Sequence, residues 1–242
     1  MKKLISVFCI VALVLCGCAN VNEEHTPAPE TTQPVGTTGA VNAMDLPMPA
    51  AYDKLLQELI NAFPNVSGLT DYPTLSHMYD GHTALAELGW AMEDLDGDGT
   101  PELLIKSLES PFMYDAFTMQ GETLVDLFSG GENDSYRLYE EGLLEVQWSD
   151  GTAMGTDYYR LEQGSIVRFD RVVQDPARAA ELGLVADADQ ADPAACWFRS
   201  ATDNKQDYSS ITAIEAAGIQ QAFKDDNFPL YPTFLSLADY KN

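Results

Sequence analysis

The sequence predicts an α+β fold: an antiparallel β-meander of about 6–8 strands with an N-terminal and a C-terminal helix packed on it. Three observations carry this. An apolar stripe at helical spacing opens the region from residue 51. From Trp90 onward, short β-like runs are separated by turn residues at hairpin spacing. Near the C-terminus, Thr212 followed three residues later by Glu215 announces a second helix through a capping box.

In "AYDKLLQELINAF", Tyr52, Leu55, Leu56, Leu59, Ile60 and Phe63 fall at i, i+3, i+4, i+7, i+8 and i+11 of one helical face, and Pro64 ends the run. The next stretch, "VSGLTDYPTLSHMYDGHTALAELG", shows little period beyond a short helix near 83–88. Strands are then expected at 89–95, 102–108, 114–119, 123–128, 135–139, 143–148, 157–162 and 166–174. Turn-rich breaks such as "QGE", "SGGEND", "EEG", "SDGTAMG" and "EQG" separate them. Beyond them, "DPARAAELG" reads as a short helix, "CWFRSA" as a strand and "TAIEAAGIQQAFK" as the C-terminal helix, with Gly218 a weak point inside it.

The chain begins with an address. Lys2 and Lys3 precede the apolar run "LISVFCIVALVL", a charged n-region and an h-region, so residues 1–17 read as an export signal. The run falls short of the roughly 20 apolar residues that a membrane-spanning helix needs. Its end, Leu15-Cys16-Gly17-Cys18, resembles the bacterial lipobox. That resemblance implies cleavage before Cys18 and attachment of diacylglycerol to its thiol, with attachment to the outer face of the cell membrane. Residues 18–50 are rich in Thr, Pro, Ala and Gly without periodicity and read as a disordered tether of roughly 30 Å. Residues 51–242 make a single domain of a size that supports a real core.

With Cys9 and Cys16 in the signal and Cys18 carrying lipid, Cys196 is the one remaining thiol. The domain therefore has no disulfide framework, and Cys196, in "ACWFR", reads as a buried small hydrophobe. The formal net charge is −25; losing Lys2 and Lys3 leaves 11 basic residues against 38 acids, or −27. Such a surface repels phosphate backbones and anionic headgroups, which excludes nucleic acid as a partner and leaves acyl chains as the membrane attachment.

The acids concentrate in "EDLDGDGTPELLI". Counting from Asp94, acids fall at positions 1 (Asp94), 3 (Asp96), 5 (Asp98) and 9 (Glu102), while the carbonyl of Thr100 stands at position 7. Alternate residues of a tight loop aim oxygens at one point, as calcium requires, and Gly97 and Gly99 let the chain turn around it. Two like charges 4 Å apart cost about 4 kcal/mol at an effective dielectric near 20, so the crowding calls for a cation. An EF-hand needs a bidentate Glu at position 12, where this chain has Ile105, and the flanks are strand-like. The loop at 94–102 is similar to the calcium loops of FG-GAP and VCBS repeats. It occurs once, so the resemblance implies the loop and a Ca2+ ion without the propeller. Together with the lipobox, the tether and the helix, Gly89, Trp90 and "LDGDGTPELLI" resemble a group of small surface lipoproteins of Gram-positive gut bacteria.

Other chemistry is thinly represented. His77, Asp80 and His82 match no standard zinc spacing and no G-x-S-x-G elbow is present. Trp90, Trp148 and Trp197 form either core or a sugar-stacking platform. The expectation is a lipid-anchored extracytoplasmic binding module for an unknown extracellular ligand or protein, held together by structural calcium. A lipid-anchored hydrolase of cell-wall or dietary polymer is the alternative, told apart by a cleft with paired carboxylates and exposed tryptophans. A two-lobed solute-binding protein is disfavoured by the short chain.

Overall fold

Tyr52, Leu55, Leu56 and Leu59 are all buried, so the apolar stripe read from the sequence is the face that the first helix packs. The computed structural model describes residues 46–63, 84–110, 112–130, 134–188, 192–202 and 204–241. Cys18, the signal, nearly all of the tether, and His77, Asp80 and His82 lie outside the described residues. Helix α1 (Ala50–Ala62) stops as Phe63 turns extended ahead of Pro64, since a residue before proline is pushed out of the helical region. The short helix expected near 83–88 is a single 3-10 turn, Leu85–Glu87.

All eight expected strands form, with ends at the expected residue or shifted by up to three residues. They are β1 (Leu88–Glu93), β2 (Glu102–Ser107), β3 (Asp115–Gln120), β4 (Thr123–Ser129), β5 (Asp134–Leu138), β6 (Leu143–Ser149), β7 (Met154–Glu162) and β8 (Ser165–Gln174). The short helix α2 (Pro176–Glu181), strands β9 (Trp197–Ser200) and β10 (Ser209–Ile211), helix α3 (Ala213–Asp226) and strand β11 (Leu235–Ser236) follow. The meander is divided between two antiparallel sheets, a five-stranded one in the order β11-β1-β2-β3-β4 and a six-stranded one in the order β10-β9-β8-β7-β6-β5.

Two-sided burial of the first sheet explains the division. Leu88, Trp90 and Met92 of β1, with Leu103, Ile105 and Phe117, meet the apolar face of α1. Ala91, Leu104, Ala116 and Phe128 point the other way and are also apolar, so a second layer must cover them. Leu138, Leu144 and Leu161 of the second sheet do so, and the rings of Phe128 and Tyr136 stack across the layers at 4.3 Å. On the far side of the second sheet, Ala216, Ile219 and Phe223 of α3 pack on Tyr158 and Val172. The order of layers is helix, sheet, sheet, helix.

The capping box of α3 forms as read: Thr212 Oγ1 accepts from Glu215 N at 3.1 Å, and Glu215 Oε2 accepts from Thr212 N at 2.7 Å. Cys196 is fully buried among Ala153, Val173, Ala179 and Phe198, and burial raises its thiol pKa, which suits an inert packing residue.

The Tyr52 hydroxyl ties α1 to the sheet it covers. It lies 2.9 Å from the carbonyl of Pro101 and 3.2 Å from that of Phe117, at the end of the acidic loop. Replacing Tyr52 by Phe keeps the ring and removes only this contact. Urea unfolding is expected to show a loss of about 1–2 kcal/mol, the cost of leaving buried carbonyls short of a donor.

Candidate metal centre

The acidic loop joins β1 to β2, neighbours whose register sets Glu93 opposite Glu102. Its first residue, Asp94, leaves one strand and Glu102 enters the next, so the loop closes the open end of a paired ribbon. Gly97 (φ 74°) and Gly99 (φ 89°) adopt the left-handed backbone that closure requires, and no atom crowds the place a Cβ would take. These glycines serve conformation and not space. Leu95, between two acids, turns inward and joins the core between the sheets.

One carboxylate oxygen from each of Asp94, Asp96 and Glu102 lies within 4.8 Å of the others, and this group could hold a metal ion. The loop wraps itself around these oxygens. Asp94 Oδ2 accepts from Gly99 N at 3.0 Å, and Asp96 Oδ1 accepts from Asp98 N at 3.2 Å. Asp94 Oδ1 is buried and has no hydrogen-bond partner. An orphaned, buried carboxylate oxygen is costly unless a cation completes it.

Glu102 is 1% exposed. Its Oε2 accepts from Leu95 N and its Oε1 from the Thr118 hydroxyl, both at 2.9 Å. A carboxylate oxygen has two lone-pair directions, so each still has one to offer. Burial pushes the Glu102 pKa up to about 7; the two donors oppose this, and the charges of Asp96 and Asp98 add to it. Asp96 is also raised, chiefly by burial, with Asp98 and Asp94 contributing.

Of the five residues expected as ligands, the fold thus assembles three side chains. Asp98 is exposed, and its Oδ1 accepts from Thr100 N at 2.6 Å, which shapes the loop's return. Two neighbouring turns carry no metal signal in the sequence. Gly142, at φ 68° in the turn between β5 and β6, abuts the Leu95 carbonyl and the Asp96 Cβ. Glu162 and Gln163, at the β7–β8 turn, line an open depression of about 650 Å³ together with Asp96 and Asp98. Only the "EEG" and "EQG" turn signals marked those loops, and neither says which loop it will face.

The raised pKa of Glu102 has a consequence for metal-free protein. Between the unfolded value near 4.5 and the folded value near 7, the folded state holds a proton that the unfolded state has released. The group's contribution to stability is therefore complete below about pH 4.5 and is lost as pH rises through about 7, a span worth about 3 kcal/mol. Asp96 acts with the same sign. Urea titrations in EGTA at about pH 5 and pH 8 should show this decline. Glu102→Gln should flatten it; an unchanged slope in that variant would refute the assignment.

The three tryptophans do not form a platform. Trp90 is buried against α1, Trp148 packs beside Cys196 and its neighbours, and Trp197 lies under α3, each in a different cluster. No protein-family model, no curated protein and no solved structure matches the chain.

Proposed function

We propose that the loop 94–102 binds one structural Ca2+ and that the protein is a lipid-anchored, extracytoplasmic binding module. The observation that carries the metal reading is the convergence of Asp94, Asp96 and Glu102 within 4.8 Å beside a buried, unpartnered carboxylate oxygen. Asp98 and the carbonyl of Thr100 complete the oxygen set when the exposed half of the loop closes on the ion. Calcium is preferred over magnesium because the loop offers many protein oxygens on a flexible frame, whereas magnesium holds most of its water. The ion's role is structural: it neutralises repulsion at the junction of β1 and β2 and pins the loop to the core through Leu95.

The anchor rests on the sequence. Cys18 follows Leu15 and Gly17 in a lipobox-like stretch, and the residues after it have a tether's composition. Extracellular calcium modules work at about 10⁻⁴–10⁻³ M, so export and occupancy agree. Calorimetric titration with calcium and then magnesium tests the site: a one-site calcium isotherm lost in Asp94→Asn is expected, and silence in the wild type refutes it. Labelling with a palmitate analogue tests the anchor, which fails if label persists in Cys18→Ala.

A further inference from the structure

We infer that a second site, between the end of β2, the edge strand β5 and the segment that follows α3, binds a small organic carboxylate with an apolar body. The inference names a ligand class for the binding module proposed above and a place on it distinct from the metal loop.

The pocket has a volume of about 360 Å³, at the small end of the range for ligand sites. Its walls include Met113, Leu138, Leu230 and Phe234, and two cations, Lys106 and Arg137, face it. The segment after α3 is held over it by the Leu230 N–H donating to the Leu138 carbonyl at 3.0 Å. Tyr231, 84% exposed, stands at the mouth.

The charges in this pocket run against the rest of the molecule. With 13 basic residues against 38 acidic ones, carboxylates are plentiful, and most described cations have taken one. Arg168 and Arg171 pair with Asp157, Arg199 with Asp170 and Lys205 with Asp175. Lys106 has no carboxylate within ion-pair distance among the described residues. Its ammonium donates to the Ser110 carbonyl at 2.8 Å and sits 4.9 Å from the centre of the Phe234 ring. Burial lowers its pKa.

Arg137 is only weakly held, by a long ion pair and the Tyr139 hydroxyl. Its closest acid is Glu145 at 3.8 Å, and that carboxylate already accepts from Tyr139 and Gln147 and lies 3.5 Å from Lys224. The guanidinium rests 5.6 Å from the Phe112 ring, with donors left over. Two cations that lack full counter-charge among the described residues, set in a hollow with apolar walls, are complementary to one carboxylate head and a short hydrocarbon or aromatic body. A phosphate or sulfate lacks the body to use the apolar walls, and an ammonium ligand would face two like charges.

Hexanoate is the probe, with hexanamide as its neutral counterpart. Calorimetry on the full-length chain gives affinity, and methyl-labelled methionine spectra, with Met113 assigned through Met113→Leu, give location. Saturable hexanoate binding that shifts the Met113 methyl is expected. Hexanamide should bind at least about ten-fold more weakly, as should hexanoate to Lys106→Met and to Arg137→Gln, since a charge-assisted hydrogen bond is worth that much. No saturable Met113 shift, equal affinity for the amide, or wild-type affinity in both charge variants overturns the inference. Should Lys106→Met fail to fold, the amide comparison and Arg137→Gln decide it. A calcium titration of the same sample reports separately on the metal loop, so either reading can fall while the other stands.

Discussion

Saturating calcium is expected to raise the melting temperature by about 5–10 °C over the same protein in EGTA. A ligand at 100 times its Kd stabilises the folded state by about 2.7 kcal/mol, reached near 10 mM calcium for a Kd of about 10⁻⁴ M. For a domain of this length, each kcal/mol moves the midpoint by about 2–4 °C. Asp94→Asn is the sharpest variant, because it keeps the side chain's shape while removing charge from the buried oxygen that lacks a partner. It should abolish the shift, and Glu102→Gln should do the same. Asp98→Ala should reduce it less, since that carboxylate is exposed and engaged with Thr100 N. An equal calcium shift in Asp94→Asn and wild type, read by calorimetric melts, would falsify the site.

Asp157→Ala is expected to destabilise the protein by about 3–5 kcal/mol, more than any single loop substitution, because it strands buried cations. Asp157 is 2% exposed in the middle of the second sheet. Its Oδ1 accepts from Arg171 Nε at 2.6 Å and from Trp148 Nε1 at 2.9 Å. Its Oδ2 accepts from Arg171 Nη2, from the Tyr159 hydroxyl at 3.0 Å and from Arg168 Nη1 at 3.3 Å. The register that sets Asp157 opposite Arg171 makes this cluster. With the carboxylate gone, two guanidinium groups of low exposure lose the counter-charge they share. The double variant Asp157→Leu with Arg171→Leu should recover part of the loss, because an apolar pair of similar volume avoids desolvation altogether. Chemical denaturation measures both; a loss under about 1 kcal/mol in Asp157→Ala would show that the cluster is screened by water.

These two clusters differ in how they announced themselves. The acidic loop was legible because its pattern is local: acids at alternate positions and the glycines between them lie within nine residues. The Asp157 network was invisible because Arg168, Arg171 and Trp148 come from neighbouring strands, and pairing is a property of register. Asp157 in "DYYRLE" looks like any polar residue on a wet face. The division of the meander was missed for a related reason. Ala91 and Ala116 are small and unremarkable in sequence, yet they line the face onto which the second sheet packs.

What the sequence determined by itself is everything carried by short-range period and local valence. It marked the helical face of Tyr52, Leu55, Leu56 and Leu59, the capping box of Thr212 and Glu215, the eight strands and the acidic loop at 94–102. Only the tertiary structure decided which of the five loop positions converge, since Glu102 meets Asp94 and Asp96 through strand pairing while Asp98 turns outward. It alone decided that Lys106 and Arg137, far apart in the chain, would share a pocket beneath the segment after α3. The physical reason is range: a turn or a helix face is fixed by neighbours within a few residues. Counter-charges and cavities are set by which strands meet, and burial of both faces of the first sheet chose that arrangement.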